Sequence, residues 1–240
     1  MTHTGMHAPG NVLLDALPLS ERHRLIQLVE PVALRQQHVL YDLDDRVDYV
    51  YFPTTCAISL LNVMETGSTV EVAIVGKEGM AGLSVFFGVD RAFGRTLVQV
   101  PGGALRVQAS LLNEQRPEMP CLEALLARYI QIFFRQAFIS SGCNHFHDVE
   151  QRIARWLLTH ADRTGALEFP FTHAFLAEMI GVHRSTVTGV IDKLQSSRFL
   201  EHRRGRIVIV DPNGLSGVTC ECYRSTKEAV DAFTASLQKM

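Results

Sequence analysis

The sequence contains no apolar run of about 18 residues, the length that predicts a transmembrane helix, so we expect no membrane partner. Its first ten residues contain neither a basic segment nor an apolar core, and they therefore predict no secretory signal. The five cysteines are odd in number and lack the spacing of a disulfide framework, which is typical of a reducing compartment. Together, these absences predict a cytoplasmic protein.

The short motifs of common enzyme classes are also missing. The chain contains no phosphate-binding loop of the G-x-x-x-x-G-K-S/T type, no H-E-x-x-H zinc motif and no G-x-S-x-G nucleophile motif. Glu150 lies near Arg152 and Arg155 on one predicted helix, a pattern that fits ion pairs better than acid–base catalysis. The 240 residues, of which 47% are hydrophobic, suffice for one or two domains with real cores. We therefore expect a globular protein that is not an enzyme.

The segment of residues 171–210 predicts two short helices, a tight turn between them and a β-hairpin after them. Thr172 stands where an N-cap is expected, ahead of apolar residues with helical spacing. Gly181 follows where the chain must turn sharply, which favours a residue that tolerates positive φ. The second helix is predicted over about residues 183–195. Its buried stripe is predicted to be Val187, Val190, Ile191 and Leu194. This layout is typical of a helix-turn-helix whose second helix enters a DNA major groove.

The hairpin adds positive charge, because Arg203, Arg204 and Arg206 surround its turn. Residues 183–206 contain six Lys or Arg and two acidic residues, a local charge of +4 on a chain whose net charge is −2. A basic patch on a mildly acidic protein is what binding to phosphates requires. The segment therefore predicts a DNA-binding domain; a helical hairpin with a solvated charged face is the alternative.

The N-terminal half has a different character. Residues 1–18 predict a loosely held arm, and a short helix follows. Glycines then separate short β-prone segments, at about residues 47–52, 58–64, 69–75, 95–100 and 104–107. Closely spaced strands with frequent turn signals predict a small β-barrel or β-roll.

A long helix is predicted over about residues 117–141, with a hinge near residues 140–144, which include Gly142, and another helix at about residues 147–162. A stripe with heptad spacing runs along the long helix through Leu122, Leu125, Tyr129, Ile132, Gln136 and Ile139. Such a stripe over three heptads is typical of a two-stranded coiled coil between identical copies. The alternative is a helix packed on its own domain. Phe133, Phe134 and Phe138 widen the apolar surface, so part of the helix is expected to cover the β domain.

The predicted fold class is α+β, with a β-roll sensory domain (residues 19–112), a dimerisation helix (113–143) and a winged helix-turn-helix (144–220). This order resembles the Crp/Fnr family of bacterial transcription regulators over about residues 19–215. The motifs that carry the resemblance are VGKEGMAG at 75–82, VEQRIAR at 149–155 and IGVHRSTV at 180–187. The resemblance implies a jelly-roll type, cyclic-nucleotide-binding-like roll and a homodimer on a pseudo-palindromic double-stranded DNA operator. It also implies RNA polymerase as a partner and a small-molecule effector at the roll.

By that resemblance, Arg184 matches the family's arginine at the start of the recognition helix, a candidate for bidentate readout of guanine. Ser185 stands where many members have glutamate and Gly189 where many have arginine, so the operator sequence is expected to differ. The remaining polar residues are better placed for phosphates. The full set of expected DNA-binding residues is Thr172, His183, Arg184, Ser185, Thr186, Thr188, Lys193, Arg203, Arg204 and Arg206.

The resemblance also indicates an effector pocket, with Gly82, Leu83, Arg95, Thr96 and Phe138 as candidate residues. Leu83 stands where cyclic-nucleotide binders have a glutamate for the ribose hydroxyl, and leucine accepts no hydrogen bond. Arg95 and Thr96 match the phosphate-binding pair, but Phe138 replaces a hydroxyl that contacts the base. We therefore expect an effector other than cAMP, or none; a regulator that responds to cAMP or cGMP is the alternative.

No cofactor and no metal are expected. An iron–sulfur cluster needs four thiolates, and no cysteine precedes Cys56. Cys220 and Cys222 form a close pair but alone supply at most two metal ligands. His147 and the nearby His145 are the candidates for haem binding. A haem or redox sensor of the same fold stays an alternative, with Cys143 and the Cys220/Cys222 pair as candidate redox groups.

Overall fold

Two antiparallel sheets form the N-terminal part of the chain in the computed structural model, which describes residues 10–237. Their strands are β1 (Glu30–Leu34), β2 (Val39–Tyr41), β3 (Tyr49–Pro53), β4 (Ala57–Val63), β5 (Thr69–Val75), β6 (Arg95–Val100) and β7 (Gly102–Gln108). One sheet has the order β1-β7-β3 and the other β2-β6-β4-β5. Apolar side chains such as Phe52 and Val98 are fully buried in a shared core. The predicted roll is confirmed.

The segment before the roll is packed rather than loose. It contains helices α1 (Val12–Asp15) and α2 (Leu19–Ile26). The buried Asn11 side chain caps α1 and donates hydrogen bonds to two backbone carbonyls of the roll, at 2.9 and 3.0 Å. Leu13 and Leu14 are part of the roll core. The prediction of a loosely held arm is therefore wrong for residues 10–18, while residues 1–9 lie outside the described part.

Three helices lead away from the roll. They are α3 (Ala109–Gln115), α4 (Pro120–Phe146) and α5 (Val149–Thr164). Helix α4 continues through Gly142, and the chain turns at His147 and Asp148. Asp148 and Gln151 form a capping box that sets the start of α5. The hinge predicted near residues 140–144 is therefore wrong by about one helical turn, because α4 continues to Phe146 and α5 begins after the cap at Asp148.

A C-terminal helix that was not predicted from the sequence, α9 (Glu221–Leu237), packs along α4. Its Val230 and Phe233 side chains are buried, and the Phe233 ring centroid lies 6.2 Å from that of Tyr129 on α4. This helix extends the folded chain beyond the end at residue 220 that the sequence predicts for the winged domain. Helix α4 is thus covered on two sides, by β5 and by α9.

The face of α4 that was expected to pair with a second copy lies mostly inside the protomer. Four members of the heptad stripe are buried in its core: Leu122, Leu125, Tyr129 and Gln136. Ile132 and Ile139 are only partly accessible. The predicted dimer stripe is therefore corrected, because β5 and α9 already occupy the surface that it needs. The apolar side chains that α4 exposes in its middle are Phe134, at 51% accessibility, and Phe138, at 78%.

The C-terminal part is a winged helix-turn-helix, as predicted. Its elements after α5 are β8 (Glu168–Phe169), α6 (His173–Ile180), α7 (Arg184–Ser196), β9 (Leu200–Arg203), β10 (Arg206–Ile209) and α8 (Pro212–Gly217). The strands form one antiparallel sheet of order β8-β10-β9. Gly181 ends α6 with a φ of +72°. Val187 and Ile191 of α7 are fully buried against the domain core, which fixes the opposite face of α7 toward solvent.

The outer face of the larger roll sheet packs on the winged domain. Leu61 and Ile74 of the roll belong to the same buried cluster as Trp156 of α5 and Met179 of α6. The two halves are therefore joined by a core of their own, besides the covalent connection through α4. Among the described residues, no helix is long and apolar enough to cross a membrane.

Candidate nucleic-acid interface and effector pocket

The first turn of α7 presents polar side chains to solvent. His183 is the N-cap residue, and it is exposed together with Arg184, Ser185 and Thr186. The N-terminal residues of a recognition helix are those that contact base edges in the major groove. Arg184 forms no ion pair with any carboxylate of residues 10–237, so its guanidinium is available for a hydrogen-bonding partner outside the protomer.

Two of the candidate threonines already have roles within the protein. The Thr172 hydroxyl caps α6, accepting a hydrogen bond from the Phe175 N–H at 3.1 Å. The Thr188 hydroxyl donates to the Arg184 carbonyl at 3.1 Å and lies 3.0 Å from Nδ1 of His173. The contact between His173 and Thr188 joins α6 to the first half of α7 and helps to set the orientation of one helix relative to the other. Thr172 is still exposed and can face a phosphate, whereas Thr188 is half-buried.

A histidine pair joins the helix-turn-helix to the wing. The ring centroids of His173 on α6 and His202 on β9 lie 4.3 Å apart. Burial lowers the pKa of His173, and the neighbouring His202 lowers it further. The neutral ring can donate its Nδ1–H to the Thr188 oxygen, since the Thr188 hydroxyl proton already goes to the Arg184 carbonyl. The wing is therefore held against α6 and α7 by side chains that sequence reasoning did not identify.

The wing arginines are exposed at the tip of the β9–β10 hairpin. Arg204 and Gly205 form the turn with positive φ values of 49° and 77°. Arg203 pairs with Glu201 at 2.6 Å, Arg206 pairs with Glu168, and Lys193 of α7 pairs with Glu150 of α5. A DNA phosphate must therefore compete with a carboxylate at these three cations. Arg204 has no such partner within the described part of the chain and is immediately available.

The candidate effector pocket is a small apolar cavity inside the roll. Three of the candidate effector residues, Gly82, Leu83 and Thr96, line it, and Phe133 lines it from α4. Its volume is only about 30 Å³. That space suits one or two water molecules, whereas sites for small-molecule ligands measure about 300–1,000 Å³. In this conformation the cavity is too small for a cyclic nucleotide.

Two candidate pocket residues lie elsewhere. Arg95 forms a two-point ion pair with Asp42, at 3.1 Å from Nε to Oδ2 and 2.6 Å from Nη2 to Oδ2, and it does not line the cavity. Hydrogen bonds from Arg95 lower the pKa of Asp42. Phe138 is 78% exposed, because a residue five positions beyond Phe133 points about 140° away around a helix. Neither residue lines this cavity, and Phe133 is the α4 residue that does, so their assignment to an effector pocket stays a prediction.

A buried polar network joins the roll to α5. The Glu71 carboxylate accepts hydrogen bonds from the Ser59 hydroxyl at 2.6 Å and from Nε2 of Gln99 at 2.8 Å. Oε1 of Gln99 in turn contacts Nε2 of His160, and Nδ1 of His160 contacts the Trp156 carbonyl at 2.8 Å. Burial raises the pKa of Glu71 to about 7 and lowers the pKa of His160 to about 3. The junction therefore contains a carboxyl group whose charged form is destabilised by burial.

The raised pKa of Glu71 gives the first testable prediction. The pKa of Glu71 is about 7 in the folded protein and about 4.5 in the unfolded chain. Because the unfolded state ionises more easily, the free energy of unfolding falls as the pH rises from about 4.5 to about 7. Glu71→Gln cannot ionise, so it should be more stable than the wild type at pH 8, by up to about 3 kcal/mol, and should lose that advantage by about pH 5. Urea unfolding at both pH values measures the difference. His160 is present in both proteins, so its opposite dependence cancels.

The exposed Glu65→Gln is the matched control for Glu71→Gln and should leave stability unchanged at both pH values. An advantage of Glu71→Gln that is the same at pH 5 and pH 8 would contradict the assignment, because packing alone does not titrate.

Three cysteines and a histidine meet where α4 ends and α9 begins. The side-chain ligand atoms of Cys143, His147, Cys220 and Cys222 all lie within 4.8 Å of one another. The hydrogen bond between Cys143 and Cys220 lowers the pKa of Cys220 to about 5 and raises the pKa of Cys143. Sequence reasoning named these cysteines separately and missed the cluster. The signal that could have found it is the combination of the Cys220/Cys222 pair with a Cys-x-x-x-His spacing at the end of the long helix.

The winged part matches a family model, and the fold is similar to that of solved structures. Residues 151–218 match the family model of the Crp-like helix-turn-helix domain. The fold is similar to that of FixK2 from Bradyrhizobium japonicum, with a TM-score of 0.67 and 16% identity over 80% of this chain and 98% of that one. It is also similar to the c-di-GMP-responsive global regulator CLP from Xanthomonas campestris, with a TM-score of 0.62 and 14% identity over 80% of this chain and 99% of that one.

A third similar structure is TTHB099, a CRP-family transcriptional regulator from Thermus thermophilus, with a TM-score of 0.63 and 15% identity over 78% of this chain and 95% of that one. CLP and TTHB099 are both regulators. No protein of curated function matches the sequence. Residues 151–218 therefore form a Crp-like helix-turn-helix domain, and the described chain has the fold of Crp/Fnr transcription regulators.

Proposed function

We propose that this protein is a sequence-specific DNA-binding transcription regulator that acts as a homodimer. The observation that carries the proposal is the exposed first turn of α7, where Arg184 forms no ion pair within residues 10–237, on a domain that matches the Crp-like helix-turn-helix model. Arg204 at the wing tip supplies a second available cation for the DNA backbone. Base contacts by Arg184 and Ser185 give sequence preference, and Thr172, Thr186, Lys193 and the wing arginines hold phosphates.

The second copy is proposed to bind the exposed side of α4. Phe134 and Phe138 are spaced four residues apart and therefore lie on one side of the helix, where they leave apolar surface in water. A two-fold interface between two α4 helices buries this surface on both copies and places two α7 helices on one operator. The proposed division of the chain keeps the roll (19–112), the dimerisation helix (113–143) and the winged domain (144–220), with α9 added to support α4.

A signal at the roll is proposed to change the arrangement of the winged domains, and RNA polymerase is the proposed partner at the promoter. The small cavity and Leu83 argue against a cyclic nucleotide, because the cavity is too small for one and a leucine side chain accepts no hydrogen bond from a ribose hydroxyl. A ligand can shift the equilibrium only if it binds one arrangement more tightly than the other.

The test is selection of bound DNA from a random library with the untagged full-length chain, with and without cAMP, cGMP and c-di-GMP. Two inverted half-sites, one helical turn apart, are expected, with no enrichment by cAMP or cGMP. A library that stays random after selection would refute sequence-specific binding. A single half-site without an inverted repeat would refute the dimer.

Arg184→Ala should separate base readout from phosphate binding. Losing a bidentate contact to guanine is expected to weaken binding to the selected operator by about 1–3 kcal/mol, while binding to random DNA changes little. Fluorescence anisotropy on both DNAs, over a range of salt concentrations, gives the two affinities. The matched variant Arg204→Ala should weaken binding to both DNAs alike. It should also reduce the slope of log affinity against log salt concentration by about one. An equal loss on both DNAs for Arg184→Ala would place that side chain on a phosphate instead.

A further inference from the structure

The junction between α4 and α9 contains a set of side chains that the proposed DNA binding does not use. Cys143 lies in the last turn of α4 and His147 is its C-cap residue, while Cys220 directly precedes α9 and Cys222 lies in its first turn. Cys143 and Cys220 are buried, and His147 and Cys222 are half-buried. Two segments more than 70 residues apart in the chain thus bring four metal-binding groups to one place.

We propose that this cluster is a tetrahedral zinc site with Cys143, His147, Cys220 and Cys222 as its ligands. A Zn²⁺ ion with three thiolates and one imidazole is among the common structural zinc sites of proteins. Because no further ligand position is open, the site is structural and not catalytic. The proposal does not depend on DNA binding.

The distances between the ligand atoms fit a single ion. With Zn–S bonds of about 2.3 Å and Zn–N bonds of about 2.0–2.1 Å, the edges of a regular tetrahedron are about 3.8 Å between two sulfurs and about 3.6 Å between sulfur and nitrogen. The Cys143 and Cys220 sulfurs are 3.5 Å apart, and the Cys222 sulfur is 3.7 Å from Nδ1 of His147. All four atoms fall within 4.8 Å of one another. Only small side-chain movements are needed to close the tetrahedron.

The histidine is held in the orientation that a metal ligand needs. Nδ1 of His147 faces Cys222, and its other ring nitrogen, Nε2, lies 3.2 Å from a carboxylate oxygen of Glu221. A carboxylate that accepts the second N–H of a ligating histidine fixes the tautomer and the ring orientation, and such a partner accompanies most zinc-binding histidines. Glu221 is therefore a positioning residue for the ion.

The charge of the site is also balanced. Three thiolates and a neutral imidazole give a Zn²⁺ complex of net charge −1. Two buried arginines of α5, Arg152 and Arg155, lie within electrostatic range of the Cys143 sulfur. Nε of Arg155 finds no hydrogen-bond acceptor among the described residues. An anionic metal complex beside these guanidinium groups compensates charges that are otherwise costly to bury.

The ion would fasten α9 to α4 at the point where the chain turns into the winged domain. Its ligands lie on both sides of that junction, so metal binding stabilises the packing of α9 over Tyr129 and fixes the turn that precedes Asp148. Because a ligand that binds only the folded state adds stability by mass action, loss of the ion should loosen α9 before the rest of the fold.

The experiment uses the full-length chain without a histidine tag, purified under reducing conditions. We expect about one equivalent of zinc per chain by elemental mass spectrometry. After removal of zinc by a chelator, Co²⁺ should give the thiolate charge-transfer band and the strong visible bands of tetrahedral coordination. Circular dichroism of each protein confirms that it is folded.

Variants identify the ligands. Cys222→Ser and His147→Gln should each reduce the zinc content and the affinity for Co²⁺ by at least a factor of ten, and Glu221→Gln should weaken the affinity by about 10–100-fold while retaining the tetrahedral spectrum. Cys121→Ser, on the first turn of α4 and outside the cluster, is the matched control and should bind one equivalent as the wild type does.

Two results would overturn the zinc site. The first is a wild-type protein that contains no zinc and binds Co²⁺ no more tightly than Cys222→Ser. The second is a reduced protein that binds no metal but forms a Cys143–Cys220 disulfide when a mild oxidant takes two electrons and two protons from the two thiols. That result would identify a dithiol pair in place of a metal site.

Discussion

Replacing Phe138 with glutamate is expected to convert the protein into a monomer and to weaken its binding to a two-half-site operator by about 10²–10⁴-fold. Phe138 is 78% exposed on α4, so the substitution should change the stability of the isolated protomer by no more than about 0.5 kcal/mol. In a two-fold interface the same change occurs on both copies, so two carboxylates meet near the axis and repel each other. The loss of operator affinity follows because each recognition helix then binds its half-site alone.

Analytical ultracentrifugation measures the association state, and anisotropy on the selected operator measures the affinity. Leu19→Glu is the matched control, because Leu19 is 71% exposed and lies on α2, which contacts the N-terminal end of α4 at Cys121 and not the exposed side around Phe138. It should remain dimeric and bind the operator as the wild type does. A Phe138→Glu protein that stays dimeric would exclude this side of α4 as the interface. A monomer with undiminished affinity would exclude the dimer as the DNA-binding form.

The winged domain could be predicted from the sequence because its signals are local. The N-cap Thr172 and the turn at Gly181 are each decided within a few residues of the chain, and the structure shows the cap hydrogen bond and the positive φ that were expected. Five of the seven strands of the roll, β3 to β7, were predicted for the same reason, since nearby glycines separate them, whereas β1 and β2 were not predicted. The pairing of β1 with β7 joins residues 68 to 76 positions apart, and nothing local specifies it.

The heptad stripe of α4 shows where periodicity is ambiguous. Leu122 and Tyr129 recur at a spacing that both a coiled coil and a helix buried within one domain require. The choice between the two depends on α9, whose own apolar residues Val230 and Phe233 cover α4. The periodicity therefore predicted the helix correctly, but it did not show that the helix packs against α9 of the same chain.

For a related reason, the sequence did not identify Phe133 as the α4 residue that lines the roll cavity, nor the cluster of three cysteines and a histidine. Five positions along a helix separate Phe133, which lines the cavity, from Phe138, which faces solvent, so an alignment error of about one turn changes the assignment completely. Cys143 and Cys220 are 77 positions apart, and only the packing of α9 on α4 brings their sulfurs together. Sites assembled from distant segments are set by tertiary structure, which residue spacing alone does not reveal.

Replacing Glu78 with glutamine is expected to lower the free energy of unfolding by about 3–5 kcal/mol. Glu78, in the turn after β5, pairs with Arg163 of α5 at 3.3 Å, and both side chains are about 95% buried. Glutamine preserves the shape of the side chain and can still accept the hydrogen bond that the Gly76 N–H donates to Glu78 at 3.0 Å. What it removes is the countercharge, so Arg163 is left as an uncompensated cation in the junction between the roll and the winged domain. Urea unfolding measures the loss.

Two further variants separate charge compensation from packing in this junction. Combining Glu78→Gln with Arg163→Met removes the orphaned cation and should recover more than half of the loss, because the desolvation cost of the guanidinium disappears with it. Glu30→Gln, at the partly exposed pair with Arg106 (2.7 Å), should cost at most about 1 kcal/mol. If Glu78→Gln costs no more than Glu30→Gln, water must reach Arg163, and the junction must open far more readily than its burial indicates. If the double variant is as unstable as the single one, lost packing and not the unpaired charge is responsible.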